Sequence, residues 1–120
     1  MVPAPEPEIQ IKLRVRCGDT FAFGPGKAAL LEAIDACRSI SGGGKALGLS
    51  YWKTRRLVDE MNQCFNGPLV ETVRGGSQKG GATLTDTGRE VLRVFRAMEA
   101  RAGDAVQETW QALRPLLGKR

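Results

Sequence analysis

The sequence predicts an α+β fold in which short β-strands flank a group of helices and a long helix closes the chain. Three observations carry this. Ile9-Gln-Ile-Lys-Leu-Arg-Val-Arg16 alternates apolar and polar residues with period two. Apolar residues recur at helical spacing through 27–65. Two Gly-Gly pairs, Gly75-Gly76 and Gly80-Gly81, separate the β-prone runs Leu69-Val-Glu-Thr-Val and Ala82-Thr-Leu. A chain of 120 residues suits one domain with an appended helix and is too short for two independent cores.

Composition removes several function classes. The chain has no histidine, which excludes ordinary histidine-based catalysis and histidine-ligated metals. Cys17, Cys37 and Cys64 are odd in number, widely spaced and without a Cys-x-x-Cys pair, so neither a disulfide framework nor a zinc site is signalled. No run of about 18 apolar residues exists, and Met-Val-Pro-Ala-Pro-Glu-Pro-Glu is unlike a signal peptide. The expectation is a soluble protein of the reducing cytoplasm, without membrane contact. Lys and Arg number 18 against 13 Asp and Glu, and the net charge of +5 favours a polyanionic partner.

The elements follow in order. Residues 1–8, rich in proline, are expected to form a disordered tail. The alternating run from Ile9 has one covered and one basic face, and Gly18-Asp19 can turn it into Thr20-Phe-Ala-Phe before Gly24-Pro25-Gly26 breaks the strand. Leu30, Leu31, Ile34 and Cys37 define the first helix, over Lys27 to Cys37, with Pro25 near its first turn. Next come a short glycine-containing helix, a tight turn at Gly48-Leu49, and a longer helix capped by Ser50. This is helix-turn-helix order.

On the longer helix Thr54, Leu57, Val58, Met61 and Phe65 form the stripe expected to be buried. Trp52, Lys53, Arg55 and Arg56 fall off that stripe, so its first half offers a tryptophan and three cations to solvent. Such an end suits the major groove: Arg and Lys bond guanine edges, and first-turn amides meet phosphate. The plainer reading is a solvated charged face.

The glycine-rich segment then becomes the tip of a hairpin wing. A tip that approaches a DNA backbone needs small residues and cations, which the glycines, Arg74 and Lys79 supply. A nucleotide-phosphate loop is the rival, but GxxxxGK[ST] is not met: Lys79 precedes Gly80, and Gly44-Lys45 is followed by Ala46.

Thr85 caps a last helix expected from Asp86 to about Arg114, with Pro115 as its stop. Val91, Phe95, Met98, Ala102, Ala105 and Thr109 recur at steps of four and three, and Val106, Trp110, Leu113 and Leu117 continue an apolar seam. Pairing with a second subunit would cover this seam, and packing back on the same domain is the alternative. Cys37 and Cys64 are expected to be small core residues at helix ends.

These residues carry a resemblance over Ile11 to Glu99. Ser39-Ile-Ser, Gly48-Leu-Ser-Tyr51, Asp59-Glu-Met-Asn62, Leu69-Val-Glu, Arg74-Gly-Gly and Gly80-Gly-Ala-Thr-Leu-Thr-Asp-Thr-Gly88 together resemble the N-terminal DNA-binding domain of the ModE family of molybdate-responsive regulators. The resemblance implies a winged helix-turn-helix on a long dimerisation helix, similar to LysR-type regulators, with Ser50 to Arg56 in the major groove and Arg74 to Lys79 along the backbone. Family members continue into oxyanion-binding domains that have no counterpart before Arg120, so molybdate binding is not supported by this chain. The family often has an aromatic in mid-helix, where this sequence has Arg55-Arg56, which implies a different operator.

The expectation is therefore a homodimeric, sequence-specific regulator of transcription that binds double-stranded DNA, has no enzymatic activity and uses no metal or cofactor. Residues 9–88 form the DNA-binding domain and 89–120 the dimerisation helix and tail. Lys53, Arg55 and Arg56 would contact bases, and Tyr51 and Trp52 would pack on sugar or thymine methyls. Ser50, Arg74, Ser77, Gln78 and Lys79 would hold the backbone. Val91, Phe95, Met98, Val106, Trp110 and Leu113 would make the dimer. The alternative is the same fold used as an interaction module that pairs with another regulator.

Overall fold

The computed structural model describes residues 6–75 and 78–118, and of residues 74, 75 and 78–80 the backbone alone. Strand β1 (Val15–Cys17) pairs antiparallel with β2 (Thr20–Phe23) across a turn in which Gly18 has φ +63°. The alternating run is thus mostly not strand: residues 9–14 have no regular structure. Alternation states which side chains want cover, but a strand also needs a hydrogen-bonding neighbour, and β2 supplies only four residues. Leu13 still packs against the core.

Helix α1 (Pro25–Cys37) opens with proline in its first turn and ends where Arg38 turns left-handed at φ 58°, its N–H donating to the Ile34 carbonyl at 2.7 Å. Helix α2 (Ile40–Ala46) and helix α3 (Tyr51–Cys64) follow, then strands β3 (Val70–Gly75) and β4 (Gln78–Leu84), which form an antiparallel hairpin. Helix α4 (Asp86–Leu113) is capped by Thr85, whose hydroxyl accepts from the Gly88 N–H at 2.9 Å, and runs into a short 3-10 turn, Arg114–Leu116, at Pro115.

The core lies where these elements meet. Leu30, Leu31 and Ile34 of α1, Val58 and Met61 of α3, Leu69 and Phe95 are buried around Phe23, whose ring stands edge-on to Phe95 at 5.0 Å and to Phe65 at 6.1 Å. Each such side chain contributes about 1.5–3 kcal/mol by leaving water, so the cluster outweighs any single polar contact in the domain. The root of α4 is held tightly: a Cβ on Gly88 would lie 2.1 Å from the carbonyl oxygen of Leu69, the residue just ahead of β3, so only glycine lets α4 approach that backbone this closely.

Two expectations are corrected here. Phe95 is 2% exposed within its own domain, and Val91 and Leu92 pack partly against the same core, so the first turns of α4 are covered by this chain itself. Periodicity had placed Phe95 and Val91 in one continuous seam because it marks an apolar face without saying what covers it. Nor are the cysteines core residues. Cys37 is exposed at the last position of α1 and Cys64 is only half-buried at the end of α3, because both stand where their helix leaves the core. Among the described residues no helix is long and apolar enough to cross a membrane.

Candidate nucleic-acid interface

The helix-turn-helix is built from glycine. Helix α2 has the sequence Ile-Ser-Gly-Gly-Gly-Lys-Ala, poor for an isolated helix, since each Gly costs about 1 kcal/mol against Ala. Packing explains two of the three. A Cβ on Gly43 would lie 2.7 Å from Ile34 Cγ1 and 2.8 Å from the Ile34 nitrogen, and one on Gly44 would lie 1.9 Å from Thr54 Oγ1. Helix α2 therefore sits directly on α1 and α3. Ser39 caps it by accepting from the Gly42 N–H at 2.9 Å.

The turn is fixed by its own backbone. The Leu47 and Leu49 amides both donate to the Gly44 carbonyl, at 3.0 and 2.9 Å, and Gly48 takes φ +73°. Ser50 then starts α3, its hydroxyl accepting from the Lys53 N–H at 3.1 Å while the buried Thr54 hydroxyl donates to the Ser50 carbonyl at 2.8 Å. This geometry sets the direction of α3 and with it the residues it presents. Tyr51 and Trp52 are 53% and 78% exposed and stand edge-to-face at 5.1 Å. Lys53 and Arg56 are exposed on the same first half of the helix, and Arg55 lies 3.7 Å from Asp59 one turn on. At that exposure the Arg55–Asp59 pair is weak and easily exchanged for another anion.

The hairpin rises from the same framework. Its register runs Val70 with Leu84, Glu71 with Thr83, Thr72 with Ala82 and Val73 with Gly81, then shifts to pair Gly75 with Gln78. A β-bridge joins Ser39 to Gly81, and the Ala82 N–H donates to the Arg38 carbonyl at 2.9 Å. Asn62 locks the other side: its Oδ1 accepts from the Leu69 and Val70 amides at 2.9 and 3.2 Å, and its Nδ2 donates to the Val70 carbonyl. Arg74, Gln78 and Lys79 stand on this hairpin, with side chains outside the described residues, and Ser77 lies outside them altogether.

Sequence reasoning gave Asn62 no role beyond the motif it stands in, and it missed Lys27. That lysine is 8% exposed, with its ammonium 3.1 Å from Glu60 of α3 and donating to the Phe21 carbonyl, so it ties α1 to α3 and to β2. No local pattern joins residues 27 and 60. The run of three glycines was the one signal of close packing available in the sequence.

Charge divides the molecule. On α4 three of the four arginines are engaged, Arg89 with Asp35 at 3.2 Å, Arg93 with Glu90, and Arg96 with Glu32 and Glu99 at 2.8 and 2.7 Å, while Arg101 makes no ion pair among the described residues; just beyond the helix end Arg114 meets Glu6 at 2.8 Å. Hydrogen bonds from Arg93 hold the Glu90 carboxyl below its ordinary range. By contrast, among the described residues no carboxylate comes within ion-pair distance of Lys45, Lys53 or Arg56, nor of Lys12, Arg14 and Arg16 ahead of α1. Arg14 and Arg16 instead lie over the Phe21 ring, at 5.0 and 5.9 Å from its centre.

Comparison with known proteins agrees with this geometry. The chain is 38% identical over 89 residues to the molybdenum transport protein ModE of Azotobacter vinelandii, an alignment covering 74% of this chain and 33% of that protein. It is 33% identical over 88 residues to the DNA-binding transcriptional dual regulator ModE of Escherichia coli K12, covering 73% and 34%. With the molybdenum-pterin-binding protein MopB of Rhodobacter capsulatus it shares 38% over 78 residues, covering 65% and 29%. The chain thus spans about a third of the length of these curated relatives. Among solved structures, the CbnR DNA-binding domain crystallised with DNA superposes with a TM-score of 0.56 at 19% identity, covering 74% of this chain and 97% of that one, which shows the winged helix-turn-helix fold. No family model matches the chain.

Proposed function

We propose that this chain, which over its aligned residues is similar to ModE regulators and fits a ModE-family DNA-binding domain, is a sequence-specific regulator of transcription that binds double-stranded DNA and carries out no catalysis. One observation carries the reading. The first half of α3 presents Lys53 and Arg56 without acidic partners among the described residues, while Arg89, Arg93 and Arg96 of α4 are neutralised by carboxylates. Free cations gathered on one helix end suit a phosphate-lined groove, where each neutralised phosphate releases counterions.

In this reading α3 enters the major groove. Lys53, Arg55 and Arg56 reach base edges, with Arg55 exchanging Asp59 for guanine. Tyr51 and Trp52 lie against sugar or thymine methyls, and the free first-turn amides of α3 face a phosphate, where Ser50 adds a hydroxyl. The hairpin follows the backbone through Arg74, Ser77, Gln78 and Lys79, its glycines allowing close approach. Two copies pair through the part of α4 that its own domain leaves open, around Met98, Val106, Trp110 and Leu113. Phe95 and Val91 serve chiefly to dock that helix at its root. A two-fold pair would read half-sites one helical turn or a multiple of it apart.

The test is a gel-shift selection from genomic fragments with the intact chain. Recovery of a common pseudo-palindromic site, lost with Arg56→Ala, is expected. Binding that is equal on all fragments and indifferent to Arg56 would defeat the base-readout assignment.

A further inference from the structure

We propose that Cys17 and Cys64 form a reversible disulfide when the protein meets hydrogen peroxide, a modification that would staple the first hairpin to the C-terminal end of α3. The two thiols come from elements far apart in sequence, yet the fold brings them together. Cys17 ends β1 and is exposed, while Cys64 ends α3 and is half-buried, so an oxidant the size of water reaches both. The Thr20 hydroxyl, which donates to the Cys17 carbonyl at 3.2 Å, lies 3.9 Å from the Cys64 sulfur. Thr20 is the cross-strand partner of Cys17, so the two side chains share one face of the hairpin, the face against which Cys64 lies, and the neighbouring Cys64 pushes the Cys17 thiol above its ordinary range. Cys17 therefore keeps its proton more readily than an isolated thiol, which suits it to the resolving role beside Cys64.

The chemistry balances with peroxide as the only co-reactant. A Cys64 thiolate attacks one peroxide oxygen, the O–O bond breaks, and sulfenic acid and hydroxide form. The Cys17 sulfur then attacks the sulfenic sulfur, the S–S bond forms as the S–O bond breaks, and a second hydroxide leaves. With the two thiol protons the products are the disulfide and two waters. The sulfur pair loses two electrons and the peroxide gains them. Cys37, at the end of α1, is exposed and makes no hydrogen bond with either thiol among the described residues, so it stays free.

Trypsin separates the three cysteines into peptides 17–27, 28–38 and 57–74, which makes the test direct. The intact chain is treated with a small excess of hydrogen peroxide, alkylated and digested without reductant. The expected result is peptide 17–27 linked to 57–74, two hydrogens lighter than their sum and released by dithiothreitol, with 28–38 recovered alkylated. Cys37→Ser should leave the link unchanged, and Cys17→Ser should abolish it and leave a sulfenic acid on Cys64 that dimedone traps. The oxidised chain should melt higher by about 5 °C, since the link closes a long loop in the unfolded state. Recovery of 17–27 and 57–74 unlinked and over-oxidised, or a dominant link through Cys37, would overturn the proposal. So would an oxidised form that melts lower than the reduced one, because the native fold would then not supply the pair.

Discussion

Gly44→Ala tests the packing on which the whole interface depends. Alanine should help α2 by about 1 kcal/mol, because glycine is the poorer helix former. Its methyl, however, would arrive 1.9 Å from Thr54 Oγ1, 2.7 Å from Cγ2 and 2.8 Å from Cβ, at a residue with no exposure. Either α2 and α3 move apart or Thr54 rotates and gives up its 2.8 Å bond to the Ser50 carbonyl. Overpacking costs about 1–3 kcal/mol, and leaving a buried hydroxyl unpaired costs about 1–3 kcal/mol more. Set against the propensity gain, the net loss is roughly 1–5 kcal/mol, and at the middle of that range a fall in Tm on the order of 10 °C. Gly42→Ala is the milder comparison, since its methyl would stand 3.3 Å from Cys37 Cβ and from Ser39 Cβ and Oγ, a crowding that a shift of a few tenths of an ångström relieves. It should lie within about 0.5 kcal/mol of the wild type or gain slightly. Urea and thermal unfolding measure both variants. In a double-mutant cycle, Thr54→Ala should cost less in the Gly44→Ala background than in the wild type, because it removes the atoms that clash. A Gly44→Ala protein as stable as wild type, or strictly additive costs with Thr54→Ala, would refute this account.

DNA affinity should fall on the order of a thousandfold between about 50 and 200 mM salt, since six or more phosphate contacts release their counterions; a flat salt titration would count against the phosphate-lined groove. Arg56→Ala should cost about 1–3 kcal/mol, mainly at the cognate site, whereas Lys79→Ala should weaken all sequences alike; competition against random DNA separates the two. In sedimentation the intact chain should be a dimer at micromolar concentration, and truncation after Ala100 should give a folded monomer that binds weakly; a tight-binding intact monomer would remove the role given to α4. Thr85→Ala should destabilise the fold by about 1–2 kcal/mol, because this hydroxyl both caps α4 and donates to the Pro68 carbonyl at 2.6 Å; unchanged urea unfolding would show that neither bond matters.

What the sequence disclosed follows the range of the forces involved. The turn at Gly48, the Ser50 and Thr85 caps and the stop at Pro115 depend on neighbours within a few residues, and all are legible locally. The stripe on α3 was equally clear, with Thr54, Val58 and Met61 at or near zero exposure. The rest depended on partners that sequence order does not name. The strand expected from Ile9 shrank to Val15–Cys17 because its pairing partner is short. The contacts of Lys27 with Glu60 and of Asn62 with the β3 backbone join distant segments. The face of α4 was correctly seen as apolar, but only the fold assigns Phe95 to its own core and leaves Met98 at 43% and Leu113 at 53% exposure.

The close crossing at Gly88 gives the long helix a mechanical meaning. Helix α4 has 28 residues, which at 1.5 Å each is about 42 Å of rigid rod. Gly88 sits in its first turn, pressed against the Leu69 backbone that leads into β3. A rod clamped at one end is a lever with its fulcrum there. Tilting it by about 5° would swing the free end by roughly 4 Å while the fulcrum barely moves. Read in reverse, a constraint on the far end fixes the bearing of the hairpin and of α3, because holding that end to within about 4 Å holds the tilt to within about 5°. Substitutions at positions such as Leu113, far from any groove-facing residue, would then set the angle at which that face is aimed.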